Sequence, residues 1–320
     1  MIAAYDDMTQ PTHLLGVDIG GTNLRVALAR ANGEIVARSS TTTTDMRNAE
    51  GVVRKISECA RKLLEESHHS LEQVAAVGAG APGLTNAETG VVIATSYLMG
   101  WRDVSLKAML EEALGIPTSV DNDVNLAALG ESCFGAGRGV PEFVFLAIGT
   151  GVGAGIILKG ELFQGSAWTA GEVGYMLVPG ISEAPAPLGK PGGIEGAVGG
   201  EGLRAQWQSQ WNREKTELPQ NLTATQVFDA AVAGDTLANS LLDRAARTLG
   251  YAICNIALIL NTPLVVLGGT VGLHAALRDR TQAVVDMHAR RLRPQLVLSA
   301  LGSDAQLMGA IRLAQIAAKR

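Results

Sequence analysis

Two similar α/β lobes around a cleft are the fold this sequence predicts, and three observations predict it. The stretch LLGVDIGGTNLRVALARANGEIV, starting at Leu14, has a faded copy in FVFLAIGTGVGAGIILKGELF, starting at Phe143, with Asp18 falling on Ala147. The first copy leads into a helix and then a strand, and the hairpin theme restarts at Phe143. The chain has 320 residues, more than the roughly 250–300 at which a single core stops growing.

Each copy is an apolar run, a glycine-bearing turn and a second apolar run, which reads as a β-hairpin. The turns are Gly20-Gly21-Thr22-Asn23 and Gly149-Thr150-Gly151. Glycine lets backbone N–H groups point outward with no Cβ in the way, and a cluster of such donors cradles phosphate oxygens. One copy alone reads equally well as an ordinary tight turn. Two copies at the same place in two halves favour a pair of cradles suited to a nucleoside triphosphate.

The remaining elements follow in order. Met1–His13 is short, of mixed polarity and acidic at Asp6-Asp7, so it reads as a loose tail rather than a targeting signal. Apolar positions Val53, Ile56, Ala60, Leu63 and Leu64 fall at helical spacing over Glu50–Glu66, followed by an apolar strand, Val74–Ala79. The strand runs into the loop Gly80-Ala81-Pro82-Gly83, whose Pro and Gly stop it. A helix over Leu106–Leu114 closes on Gly115 and leads to a short strand ending at Asp121-Asn122-Asp123, with a further helix over Val124–Gly130. Pro179–Gly202, rich in Gly and Pro, reads as a long loop, and such loops are more often functional than idle. Trp207 and Trp211, four apart, read as rings packing one helix on a neighbour. Asp235 caps a long helix through Leu260, which turns at Asn261-Thr262-Pro263 into the strand LVVLGG, where Gly268 and Gly269 let backbone approach a flat ligand. A last helix, Ser303–Ala318, packs back on the first lobe. The expected division is a tail over 1–13, a small lobe over 14–122 completed by helix 303–320, and a large lobe over 123–302.

Composition narrows the function. A hydrophobic share of 47% with 18% charged residues is ordinary for a globular protein. The net charge of −5 argues against a nucleic-acid partner, because a reader of phosphate backbones carries a basic face. The most apolar stretch, Tyr251–Leu267, is broken by Asn255, Asn261 and Pro263 and falls short of the ~20 apolar residues that span a membrane. Cys59, Cys133 and Cys254 stand singly without metal-like spacing, as expected of core cysteines in a reducing, cytoplasmic compartment.

Phosphoryl transfer to a hydroxyl needs phosphate donors, a divalent ion and a carboxylate that takes the proton. Asp123 in VDNDVN, just past a strand and at the head of a helix, is the leading carboxylate, with Asn122 beside it as a donor and acceptor for sugar hydroxyls. Asp121 or Asp123 could equally be a helix cap. Asp18, against the first turn, either orients a magnesium shell or ends a strand. Glu172 and Glu195, in GEVGYM and GGIEGAV, could accept from a polyol, whose buried hydroxyls each cost about 1–3 kcal/mol if unpaired. Exposed loop glutamates with no such role are as common.

Taken together, DIGGTNLRVAL, VGAGAPG, VDNDVNLAALGE, IGTGVGAGIIL, AGEVGYM, LVVLGGTVG and LGSDAQLMGAI resemble, in order and spacing, the ROK family of sugar kinases and repressors from Leu14 to Ile316. The resemblance implies an actin-like ATPase (ribonuclease-H-like) α/β fold, ATP and Mg2+ as cofactors, a hexose substrate and a homodimer. It makes Asp123 the catalytic base and assigns Asn122, Gly83, Glu172, Tyr175 and Glu195 to the sugar. Asp18, Gly20, Gly21, Thr22, Asn23, Gly149, Thr150, Gly151, Gly268 and Gly269 are assigned to the nucleotide and its metal. The implied activity is glucokinase, with a fructose, mannose or N-acyl hexosamine kinase as alternatives. A sugar-sensing repressor carries an additional N-terminal helix-turn-helix, whereas about a dozen residues precede the first strand here.

One departure stands out. The four positions at which the family binds a structural zinc hold Tyr175, Ala186, Leu188 and Gly193, none of them a thiolate, imidazole or carboxylate. The expectation is a loop without zinc, stiffened by the Pro185–Pro191 run. Tyr175 and Tyr97 stand where relatives often have histidine and asparagine, which leaves the identity of the sugar open.

Overall fold

A computed structural model describes residues 11–43, 48–95, 98, 100–181, 191–214 and 216–319. The chain forms two compact units. The first comprises residues up to Cys133, the segment 164–169 and the chain from Asp304 onward; the second comprises Phe134–Phe163 and Ala170–Ser303.

In the first unit, β1 (His13–Ile19), β2 (Asn23–Arg30), β3 (Ile35–Thr42), β4 (Val74–Ala81) and β8 (Thr118–Asn122) form a sheet in the order β3-β2-β1-β4-β8. β1 and β2 are the antiparallel hairpin, while β4 and β8 run parallel to β1. A small sheet of β5 (Leu84–Asn86), β6 (Val91–Ala94) and β7 (Arg102–Val104) follows β4. β1 is buried along its whole length. Leu15, Val17 and Ile19 join one core with Val52, Ile56 and Leu63 of helix Ala49–Glu66 and Leu106 and Leu110 of helix Leu106–Leu114. Leu14 joins a second with Leu307, Ile311 and Ala314 of the C-terminal helix Ala305–Ala317. Alternate residues of one strand therefore serve two cores, as the period of two requires.

The C-terminal helix comes close enough to exclude side chains. A Cβ on Gly78 would stand 2.0 Å from the Ala310 carbonyl oxygen, and one on Gly309 would stand 1.7 Å from that of Leu126. Leu126 lies in helix Asp123–Phe134, so this helix is packed on the C-terminal helix and belongs with the first unit. The first compact unit accordingly runs to Cys133, whereas the lobe expected from the sequence ends at residue 122. β1 likewise begins inside the expected tail: the His13 ring lies 4.1 Å from that of His69 and the Thr12 amide donates to the Gln73 carbonyl. Residues 1–10 of that tail lie outside the described residues.

The second unit has β9 (Phe143–Ile148), β10 (Val152–Leu158), β11 (Glu161–Phe163), β12 (Leu264–Gly268) and β13 (Gln295–Leu298), in the order β11-β10-β9-β12-β13. Strand for strand this repeats the first sheet, with β9 and β10 antiparallel and β12 and β13 parallel to β9. The closing pairs of the hairpins are Ile19 with Leu24 and Ile148 with Val152, so the second turn is one residue shorter. One face of the sheet buries Val144, Leu146 and Ile148 against Trp207, Phe228, Leu241 and Ile253. Trp207 is fully buried and its indole N–H donates to the Pro219 carbonyl, while that of Trp211 donates to Leu218. Both rings are packing groups, as the sequence suggested. Asp235 caps helix Thr236–Leu260 by accepting from the Ala238 amide, and Asn261 ends it in the left-handed conformation at φ 55°.

The expected loop over Pro179–Gly202 is partly helical, with helix Gly193–Val198 and the start of helix Gly200–Gln210 inside it. Its glycines hide any apolar period, and burial of Ile194 and Val198 drives the turn instead. Residues 182–190, which include Pro185, Ala186 and Leu188, lie outside the described residues, as does Tyr97. Among the described residues, no helix is long and apolar enough to cross a membrane.

Gly309→Ala is expected to destabilise the first unit by about 3 kcal/mol, because the new methyl must push apart two packed backbones. Chemical denaturation checks this, and a midpoint equal to wild type would show that the helices can separate at no cost.

Candidate active site

The first hairpin turn follows directly from the end of β1. The Gly20 amide donates to the Asn23 carbonyl at 2.7 Å, and buried Thr43 fixes the loop by donating its hydroxyl to the Gly20 carbonyl and its amide to that of Thr22. Gly21, Thr22 and Asn23 are exposed. Among the described residues, the Gly21 and Thr22 amides have no protein partner. None of the turn glycines has a positive φ, so the backbone conformation itself does not demand glycine here.

Asp18 is buried, and directly across the hairpin stands its partner Arg25. Both Nε, at 2.8 Å, and Nη2, at 2.6 Å, donate to Asp18 Oδ2. Burial raises the Asp18 pKa above the ordinary aspartate value, and the guanidinium offsets part of that rise. Among the described contacts, both of these guanidinium nitrogens meet the same carboxylate oxygen. Mg2+ is commonly held by one or two carboxylates together with substrate phosphates, so Asp18 fits that donor set.

The end of β8 carries a cluster of polar side chains. Asp121 is 2% exposed. Its Oδ1 accepts from the Asn122 amide at 2.7 Å and the Asn125 side chain at 2.9 Å, and its Oδ2 accepts from Gln164. Burial raises its pKa, and these donors work against the rise. The helix cap is neither of the two aspartates: Asn122 Oδ1 accepts from the amides of Val124, at 2.9 Å, and Asn125, at 3.2 Å. Asn122 Nδ2 donates to the Gly83 carbonyl at 2.9 Å. The cap and the Gly83 bond use most of the amide that the sequence offered to a sugar, leaving one N–H hydrogen. Gly83 itself is held by a φ of 95° and by packing, since a Cβ there would stand 2.3 Å from the Ala94 carbonyl oxygen. Asp123 occupies the first position of the helix, half-buried, with Oδ1 accepting from the Val124 amide.

In the second unit, the turn after β9 is anchored through its carbonyls. Those of Gly149 and Thr150 accept from the amides of Gly200 and Glu201, at the start of helix Gly200–Gln210. The Gly149 amide closes the turn onto the Gly151 carbonyl, and the amides of Thr150 and Gly151 have no protein partner among the described residues. A Cβ on Gly149 would meet nothing within 4 Å, so the space beside it is open. Gly268 and Gly269 have a packing reason instead. A Cβ on Gly268 would stand 2.2 Å from the Phe145 ring, and Gly269, at φ 79°, would put one 2.4 Å from the Ile148 carbonyl oxygen.

Glu172, Glu195 and Tyr175 form one group. Gly171, at φ 92°, brings its backbone against β10, where the Ala154 amide donates to its carbonyl, and this places Glu172. Glu195, in the first turn of helix Gly193–Val198, accepts from the Gly192 amide. Glu172 is exposed, yet partial loss of hydration raises its pKa and the charge of Glu195 raises it further. The Tyr175 phenol is pushed up by partial burial, then by Glu195 and Glu172. At the remaining zinc-equivalent position, a Cβ on Gly193 would stand 2.7 Å from Ile181 Cδ1. The described residues hold no group of three or more His, Cys, Asp or Glu able to bind a metal.

Residues 14–317 match the ROK family. The chain belongs to that family. It is 36% identical over 264 residues to a glucokinase of Halalkalibacterium halodurans, covering 80% of each chain. It is 31% identical to a glucokinase of Thermotoga maritima, covering 93% of this chain and 95% of the relative. A solved ROK family glucokinase from Streptomyces griseus, in complex with glucose and AMPPNP, superposes with a TM-score of 0.79 at 28% identity, covering 95% of this chain and 99% of that one. The ROK chain has the actin-like ATPase fold, and the repeated strand order of its two sheets is the duplication first visible in the two hairpins.

Glu195→Gln is expected to lower the Glu172 pKa toward the ordinary glutamate value, because it removes a neighbouring negative charge. Carboxyl carbon resonances followed across pH check this. An unmoved Glu172 titration would mean that the two carboxylates do not sense each other.

Proposed function

We infer that this ROK chain is an ATP-dependent hexose kinase that phosphorylates the 6-hydroxyl, with glucose as the first substrate to test. The observation that carries the reading is the placement of Asp123: a half-buried carboxylate at a helix N-terminus, beyond a parallel strand, with Asn122 capping the same turn. Ligands of α/β sheets gather at the carboxyl ends of such strands. The similarity to two glucokinases and to the glucose and AMPPNP complex supports the same chemistry.

In this reading Asp123 accepts the proton of the sugar 6-hydroxyl as its oxygen attacks the γ-phosphorus. The bond from that phosphorus to the β,γ-bridging oxygen breaks, ADP leaves, and the proton passes from Asp123 to solvent. The amides of Gly21, Thr22, Thr150 and Gly151, which have no protein partner among the described residues, receive phosphate oxygens, and the open space beside Gly149 keeps side chains out of their way. Asp18 and the phosphates would hold Mg2+, which would supply charge neutralisation. Gly268 and Gly269 border the adenosine. Glu172 and Glu195 accept from sugar hydroxyls, and the raised Glu172 pKa leaves that carboxyl able to donate over a wider pH range than an ordinary glutamate.

Asp121 is the rival base and is less suited. Its two oxygens already accept three hydrogen bonds and it is 2% exposed, so no hydroxyl can reach it without breaking them. Asp123 is the more accessible carboxylate of the two.

Asp123→Asn is expected to keep the fold and sugar binding while lowering kcat by about 10²–10⁴-fold, since the amide cannot take the proton. Coupled ADP release together with sugar titration checks it, and wild-type turnover would remove Asp123 from the mechanism. Full activity is also expected from chelator-treated protein resupplied with Mg2+ alone, assayed across a panel of hexoses. Recovery only on adding zinc would restore a zinc-held loop, and turnover confined to a hexose other than glucose would make Tyr175 the specificity element.

A further inference from the structure

We propose that Gln164 is a positioning residue for Asp123, acting through the buried carboxylate of Asp121. This deepens the kinase reading and rests on it.

Gln164 follows β11 and opens the six-residue segment 164–169, which groups with the first unit although the chain on both sides of it belongs to the second. Its side-chain amide donates to Asp121 Oδ2, 43 positions away in sequence. The other oxygen of Asp121 holds the Asn122 backbone amide and the Asn125 side chain, which lie on either side of Asp123. Asn122 in turn caps the amides of Val124 and Asn125. Asp121 therefore braces the residue before the base and the residue two after it, and its own orientation depends on having both oxygens satisfied.

An ionised carboxylate this deeply buried does not stay in place with one oxygen unpartnered. Without the Gln164 donor it must rotate toward another donor, admit water or take up a proton. Each of these loosens Asn122 or Asn125, and with them the first turn that aims Asp123. Gln164 touches neither the Asp123 carboxylate nor the two phosphate turns among the described contacts, so its effect is expected in the chemical step more than in substrate affinity.

The test compares Gln164→Leu, Gln164→Glu and the combination of Asp121→Asn with Gln164→Glu, all in the full chain with glucose, ATP and Mg2+. Gln164→Leu is expected to lower kcat by about 10–100-fold, the scale of a small misplacement of a reacting group. The ATP Michaelis constant should stay within about twofold, because the phosphate turns are untouched, and the sugar constant should rise by less than kcat falls. Gln164→Glu alone, which sets two carboxylates against each other, should lose more. The combination keeps the charge count and reverses donor and acceptor, so it should recover most of the lost kcat. Wild-type kcat in Gln164→Leu, a loss confined to the Michaelis constants, or no recovery in the combination would overturn the proposal.

A wild-type chain that turns over no sugar would sink the kinase reading instead. Positioning is then decided by the Asn122 backbone amide and Asn125 side-chain amide resonances. Gln164→Leu must move both and the combination must bring both back. Unmoved resonances overturn the proposal on their own.

Discussion

A buried carboxylate at the end of β8 dictates what surrounds it. Asp121 is removed from water, and an ion in that position is tolerated only if nearby donors replace its hydration. The sequence supplies one donor from the adjoining backbone, one from the next helical turn and one from a segment 43 residues away. Satisfying Asp121 fixes Asn122, and fixing Asn122 sets where helix Asp123–Phe134 begins. The address of Asp123 is thus a by-product of solving a solvation problem next door, and replacing Asp121 with an apolar residue would remove the problem together with the positioning it provides.

The frame around this cluster was legible wherever a local pattern sufficed. Helices Ala49–Glu66, Leu106–Leu114 and Thr236–Leu260 announce themselves through apolar spacing and through Gly115, Asp235 and Asn261 at their ends. The hairpins were legible because they occur twice, and the repeat turns an ambiguous glycine turn into a paired one. The small β5-β6-β7 sheet and the edge strands β3, β11 and β13 were not read from the sequence, since several are only three or four residues long and pair through contacts that local patterns do not encode. Helix Gly193–Val198 was hidden for a related reason: its glycines argue against a helix locally, and packing of Ile194 and Val198 overrides them.

At the site itself, residue types were readable and their division of labour was not. D-N-D offers three side chains able to cap a helix, and rank alone cannot choose among Asn and Asp. Only the geometry gives the cap to Asn122, the buried charge to Asp121 and the accessible carboxylate to Asp123. Gln164 carried no signal at all, because a lone glutamine after a short strand becomes meaningful only when its amide is seen against Asp121. The glycines divide too. Gly268 and Gly269 are required by neighbouring atoms inside the fold, whereas Gly149 borders open space, and that difference is invisible in a string of letters.

The C-terminal helix has a consequence for how the chain is made. It covers the face of the first sheet formed by Leu14, Ala27, Ala29 and Ala76, yet it is synthesised after all of the second unit. At about 5–20 residues per second, the interval between the end of β8 and the arrival of that helix is roughly 10–40 s. Throughout that time an apolar sheet face has no partner of its own chain. The first unit begins synthesis earlier and closes later than the second, so the stretch in which its strands are exposed to chaperones, to aggregation and to other nascent chains is set by the length of its neighbour.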